Sequence, residues 1–332
     1  MAFIKKTIVT VVIVSIVAVG GFSWWSKHAL TSATPIEFTI APGSGVGAAA
    51  QQMVKAGVPV NPTLFQILAR VTGQSARIKA GSYELKPNTS PRSLLNQLVR
   101  GEFAQEAVTI IEGWTFRQMR EAIDASKSLR HETAKLSDAE LMAKVSPEYK
   151  QPEGLFFPDT YLFAKGASDL QIYKQAHQML LTRLQAAWEK RSADLPYKTP
   201  YEALTMASIV EKETGQKSER AMIAGVFVNR LRTGMMLQTD PSVIYGMGAR
   251  YEGKIAKKDL TTDTPYNTYT RYGLPPTPIA LPGVQSLAAA LAPAKTEALY
   301  FVSRNDGTSK FSDNLNDHNR AVNQYQRGSS TP

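Results

Sequence analysis

Residues 7–25, T-I-V-T-V-V-I-V-S-I-V-A-V-G-G-F-S-W-W, carry no charged side chain. As a helix, a run of this length spans the ~30 Å hydrocarbon layer of a bilayer, and it has no polar face to turn toward water. Lys5 and Lys6 precede it, and Trp24 and Trp25 close it where aromatic rings favour the membrane interface. The alternative is a cleaved signal peptide. The run is long for the apolar region of a signal, and no small-x-small site followed by a break is evident. The residues therefore favour an uncleaved anchor, N-terminus in the cytoplasm and the rest of the chain outside. Lys27 follows the span directly, so the charge asymmetry behind that orientation is modest.

The 332 residues are 43% hydrophobic and 20% charged, ordinary for globular protein and enough for about two domains. The net charge of +10 suits nucleic acid, anionic envelope polymers, a membrane surface or simple solubility. Lys and Arg are spread without a block of like charge, and an anchor of this kind argues against a nucleic-acid partner. With no Cys, a disulfide frame and a thiolate metal site are both excluded. His28, His131, His177 and His318 are scattered, with no pair at metal-ligand spacing, so no metal and no cofactor are expected.

Taken in order, the pattern predicts an α+β chain. Residues 1–35 form the cytoplasmic start, transmembrane anchor and tether. Residues 36–106 read as a small module. Ile36–Ile40 alternates as a strand, Ser44 is placed to cap a helix, and Asn61-Pro62 opens a second one. Gly81–Leu85 is a second strand, and Ser90-Pro91 opens a helix closed by Gly101. Residues 107–332 form a larger domain. Thr115 with Gln118, and Ser137 with Glu140, have capping-box spacing, and a long helix follows Ser168. Thr39-Ile40-x-x-Gly43 recurs as Thr109-Ile110-x-x-Gly113, a short echo of strand running into helix. P-E-G-L-F-F-P-D-T-Y at 152–161 sets aromatics beside acids, which suits either a sugar-binding cleft or a packed connecting loop. A helix at 218–233 has Ser218 as its cap, Glu219 at its positive end and Arg230 and Arg232 at its negative end. Gln238 and Asp240 fall on a loop or strand end, and a Pro/Tyr-rich connection at 264–279 is too long to be a mere link. A hairpin around Asn305-Asp306-Gly307, a last helix and a polar tail complete the chain.

The segment 200–215 stands apart. Pro200 suits a first helical turn, Gly215 suits a helix end, and the residues between are apolar almost all round, which predicts a buried helix. It ends in Glu211-Lys212-Glu213. Two positions are about 200° of helix, so the two carboxylates face different ways. Glu211 lies over Ser208, Ala207 and Leu204, and Glu213 over Val210, Ile209 and Met206. Glu213 has the more apolar wall, and such a wall disfavours the charged carboxylate and suits a general acid. From these residues alone, two solvated glutamates at a fraying helix end are as good a reading.

S-I-V-E-K-E-T, G-V-F-V-N-R-L, L-Q-T-D-P-S-V-I-Y-G-M-G, Y-N-T-Y and G-L-P-P, with K-A-G-S-Y at 79–83 and F-P-D-T-Y at 157–161, together resemble the YceG-like (MltG) endolytic murein transglycosylases. The resemblance runs from the anchor to the final helix. It implies an inner-membrane enzyme with a LysM-like module at 36–106 and a catalytic domain at 107–332. Such an enzyme cuts peptidoglycan glycan strands internally, between N-acetylmuramic acid and N-acetylglucosamine, leaves 1,6-anhydro ends, and is linked to strand termination and to penicillin-binding synthases. It implies Glu213 as the catalytic residue and Gln238, Asp240, Asn267 and Tyr269 as substrate-binding residues. Asp240 is equally an Asp-Pro turn starter. Ser242 stands where the family commonly has Thr, and Thr277 where a Gly closes the G-L-P-P turn. A hydrolytic muramidase using a second carboxylate, or a non-catalytic peptidoglycan-binding scaffold for synthases, are the rival readings.

Overall fold

α1 (Ala2–Lys27) is one continuous helix. The part from Lys6 to Lys27 has a mean hydropathy of 2.1 and is long and apolar enough to cross a membrane. The computed structural model describes residues 2–32 and 34–327, with side chains from residue 6 onward. Ala33 of the tether and the polar tail at 328–332 lie outside the described residues. Side chains such as Ile8, Val12 and Val19 stand exposed, whereas Phe22 and Trp25 pack on the core of the module that follows.

By its contacts the chain divides into two compact units, 1–106 with 162–167, and 107–161 with 168–332. In the first unit β1 (Ile36–Ile40) pairs antiparallel with β2 (Gly81–Leu85) and sets Phe38 opposite Tyr83. Their rings stack at 5.7 Å. Period-two alternation buries Phe38 and Ile40 and leaves Glu37 and Thr39 exposed. α2 (Val46–Lys55), α3 (Pro62–Val71) and α4 (Pro91–Arg100) complete the core with Met53, Phe65, Leu94 and Leu98. Asn61 Oδ1 accepts from the N–H groups of Thr63 and Leu64, and Ser90 Oγ from that of Ser93. Gly101 ends α4 at φ 75°, the left-handed region where a side chain is disfavoured. Ser44 does not cap α2. Gly45 occupies that position, and the Ser44 hydroxyl is engaged by the Gln52 amide instead.

β3 (Gln105–Thr109) leads to α5 (Phe116–Asp124) and α6 (Asp138–Val145), and both predicted capping boxes are formed. β4 (Thr160–Ala164), which pairs with β3, precedes the long α7 (Asp169–Glu189). Next come α8 (Pro200–Glu213), α9 (Arg220–Thr233), α10 (Asp240–Met247), α11 (Lys257–Thr261) and α12 (Val284–Leu291). The antiparallel hairpin of β5 (Tyr300–Ser303) and β6 (Ser309–Ser312) and then α13 (Leu315–Val322) close the fold. The chain is a mixed α+β protein with one apolar N-terminal helix.

α8 is the axis of the second unit. Every residue from Ala203 to Val210 is buried, enclosed by α7, α9, α10 and α12. Ser208 satisfies its buried hydroxyl by donating to Thr205 O and accepting from Ile279 N, which ties the Pro-rich connection to the helix. α9 runs so close to the chain at Ala294 that a Cβ on Gly225 would lie 2.6 Å from the Ala294 carbonyl oxygen, so only glycine fits. The helix start read at Ser218 falls instead in a 3-10 turn, and Glu219 uses its carboxylate to hold Ser309 through that residue's N–H (2.7 Å) and hydroxyl (2.8 Å). Gly215 is not the cap of α8, since the chain leaves the helix extended at Thr214. Asp240 begins a helix and not a strand end. α12 has no counterpart in the sequence reading.

Most of the 152–161 stretch is packed: residues 152–158 and Tyr161 are buried, with Phe156 and Tyr161 at most 2% exposed, as in a packed connecting loop, while Asp159 and Thr160 are exposed. Glu153 is buried with them and accepts from the Phe116 N–H and the Tyr245 hydroxyl. Burial pushes its carboxyl up to about 7, against the pull of those donors. A folded-state value above the unfolded one stabilises fully below the unfolded value and loses that stabilisation as pH rises through about 7. Relative to Glu153→Gln, the wild type should lose about 3 kcal/mol of stability in melts between pH 4.5 and pH 7. Glu153→Gln should flatten that slope.

Candidate active site

α8 ends at the wall of a cleft of about 1110 Å³. Glu213, Gln238, Asp240 and Tyr269 line it together, facing residues of the β5–β6 hairpin and α13. The two loops that bring Gln238, Asp240 and Tyr269 here are stitched by buried hydroxyls. Thr239 N donates to Thr268 Oγ1 (3.0 Å), which also meets Ser242 Oγ (2.8 Å), and Gln238 N donates to Thr268 O (3.0 Å). The Ser242 hydroxyl is thus part of the stitch. Gln238 sits at φ 49°, a left-handed conformation uncommon outside glycine, held by this lacing.

Glu213 is half-buried, and its Oε2 accepts from Thr239 Oγ1 at 2.7 Å. Burial raises its pKa from the ordinary carboxylate value. The nearby Asp240 charge adds to this, while the Thr239 hydroxyl and Arg230 oppose it. A carboxyl group so placed keeps its proton to higher pH than a solvated glutamate and has an open face to deliver it. Glu211 points elsewhere. It makes an ion pair with Arg220 at 2.8 Å, both side chains near 5% exposed, and accepts from Gly283 N at 2.9 Å. Neither glutamate is a solvated residue at a fraying end.

Across the site Tyr269 donates its hydroxyl to Asp240 Oδ1 at 2.6 Å. Asn267 does not line the cleft. It is 1% exposed, donates to the carbonyls of Asp259, Leu260 and Thr262, and accepts from Tyr269 N at 2.9 Å. It is a strut that shapes the loop carrying Tyr269. Three neighbours were not foreseen: Thr239, Arg230 and His318. Arg230 is 7% exposed and clamps the cleft's walls, donating to Leu299 O at 2.7 Å and Leu237 O at 2.6 Å. From sequence it read only as a complement to the negative end of α9. One trio of potential metal ligands occurs among the described residues, Asp124, His131 and Asp169. The Asp169 carboxylate there already accepts from Glu132 N, Thr133 N and the Thr133 hydroxyl, as a loop-closing residue does.

A single glutamate whose burial favours the protonated form, at the end of a buried helix and facing polar side chains across an open cleft, has the makings of a general-acid site for a large polar substrate. The chain belongs to the YceG-like family, whose model matches residues 38–324. It is 33% identical to an endolytic murein transglycosylase of Bacillus subtilis (strain 168), over 92% of this chain and 91% of that protein. It is 28% identical to an endolytic murein transglycosylase of Streptococcus pneumoniae serotype 2, over 95% of this chain, and the match spans 64% of that protein's length. A solved structure of a yceG-like protein from Listeria monocytogenes is similar with a TM-score of 0.55 at 31% identity, covering 87% of this chain and 99% of that one.

Proposed function

We propose that this chain is an endolytic lytic transglycosylase of peptidoglycan, a lyase that cuts the bond between N-acetylmuramic acid and N-acetylglucosamine within glycan strands. The observation that carries the reading is Glu213, whose burial favours the protonated form at the wall of an open cleft. Relatives of known name act as endolytic murein transglycosylases, and the chain matches one of them along nearly its whole length.

Cleavage needs a proton on the leaving oxygen and a nucleophile at the anomeric carbon. Glu213 donates its proton to the glycosidic oxygen as the bond from that oxygen to the anomeric carbon breaks. The C6 hydroxyl oxygen of the same sugar bonds to the anomeric carbon, closing the 1,6-anhydro ring, and its proton passes to the Glu213 carboxylate. One carboxyl serves both steps and no water is consumed. The nucleophile is intramolecular, so holding the ring in a reactive pucker supplies much of the acceleration. Asp240 offers negative charge to the positive charge developing at the anomeric carbon, and Gln238 and Tyr269 orient the sugar. Asn267 acts through Tyr269 as a positioning residue.

On this reading α1 is an inner-membrane anchor with its N-terminus in the cytoplasm, and the second unit works on the periplasmic side. The first unit is a LysM-like module that holds the strand. Termination of nascent strands, next to penicillin-binding synthases, is the role such an arrangement serves. The test is digestion of purified glycan strands by the full-length chain in detergent, followed by product masses. Internal fragments ending in anhydro sugar support the reading. Products one water heavier would make the protein a muramidase, and binding without cleavage would make it a scaffold.

A further inference from the structure

His318, on α13, lines the same cleft as Glu213. Its ring stacks on Tyr300 with centroids 5.1 Å apart and planes at 23°. The Arg230 guanidinium lies 5.5 Å from the Tyr300 centroid. The imidazole is thus held in place by packing. Its Nδ1 is sealed from solvent and has no hydrogen-bond partner among the described residues. A buried N–H without an acceptor is among the costliest of polar defects, and a bare lone pair is tolerated more readily. The ring proton therefore belongs on Nε2, the nitrogen left to serve the cleft. Burial and the Arg230 charge both lower the pKa of the ring and keep it neutral near pH 7.

This makes His318 a donor that cannot change role. Hydroxyls in the lining, such as Ser303 and Thr308, donate or accept, and the amides of Asn319 and Gln326 can turn over. A fixed neutral donor selects for an oxygen that only accepts. On a glycan of amino sugars the acetamido carbonyl is the strongest acceptor of that kind, ahead of the ring and glycosidic oxygens, while hydroxyls adapt to either partner. A free amine at the same carbon offers no carbonyl and, when protonated, presents only N–H donors and adds positive charge near Arg230.

We infer that His318 is a specificity residue, donating from Nε2 to the acetamido carbonyl of an N-acetylhexosamine unit bound in the cleft. The inference deepens the glycan reading of the site and rests on it. The experiment is calorimetric binding of an N-acetylglucosamine tetrasaccharide and of its fully de-N-acetylated counterpart to the full-length chain. The wild type should prefer the acetylated form. His318→Ala should shrink that preference about five- to tenfold, the scale of one hydrogen bond. His318→Gln, whose amide N–H can still donate, should keep most of it. Nitrogen NMR of the unliganded chain should find the His318 proton on Nε2. A preference unchanged in His318→Ala, equal loss for both oligosaccharides, no preference in the wild type, or a proton on Nδ1 would each overturn the inference. These readouts are of binding, not cleavage. A wild type that discriminates but makes no anhydro ends would remove the transglycosylase reading and leave the role of His318 standing.

Discussion

Glu213→Gln is expected to lower strand cleavage by about 10³-fold, in the range of lost general acid–base catalysis, while the chain stays folded. The amide keeps the shape of the side chain and can still accept from Thr239 Oγ1, so the cleft survives while the transferable proton does not. Stability should move the other way. The raised Glu213 pKa means that the ionised form is disfavoured in the folded chain, so the wild type loses stability as pH rises through that value. The glutamine variant carries no such charge, and its melting temperature should exceed that of the wild type at pH 8 and converge with it at low pH. The wild-type rate should fall along the same limb, because the proton donor is lost as pH rises. Cleavage is read by product masses and folding by melts. A variant that retains full activity would remove Glu213 from the mechanism.

Glu211→Gln should do the reverse. Glu211 and Arg220 form a buried pair whose side chains are 5% and 6% exposed, and Arg220 Nε and Nη1 have no other partner among the described residues. Neutralising the carboxylate leaves the guanidinium charge buried without compensation, which costs about 3 kcal/mol or more. The melting temperature should fall by about 10 °C for a unit of this size. Glu211 also accepts from Gly283 N at the start of α12, so this loosening concentrates where α12 meets α8. Cleavage per folded molecule at 25 °C should stay within a few-fold of the wild type. Equal loss of activity in the two variants, with folding intact in both, would refute the division of roles between the two glutamates.

Much of this was legible from local chemistry. The residues next to a helix start suffice to reveal a cap, and Asn61, Ser90, Thr115 and Ser137 all bond within three positions of themselves. The uncharged run at 7–25, inside α1, is long enough to cross a bilayer as a helix, and composition alone shows that. The two-residue spacing alone sent Glu211 and Glu213 to different faces of α8, because the helical period leaves no other outcome.

What lay beyond the sequence was every property set by groups far along the chain. Glu213 meets Thr239, which is 26 positions away, and the Tyr300–His318 stack lies across the cleft on elements with their own separate local signals. Asn267 and Tyr269 look alike as polar loop residues, yet only Tyr269 reaches the cleft, because the Asn267 amide is consumed by three carbonyls of its own loop. Arg230 carried the spacing of a dipole-complementing residue and became a buried clamp once the hairpin closed over it. Periodicity reports which way a side chain leaves its element. Whether that direction ends in solvent, a buried ion pair or a cleft depends on which distant segment excludes the water, and only the tertiary structure supplies that.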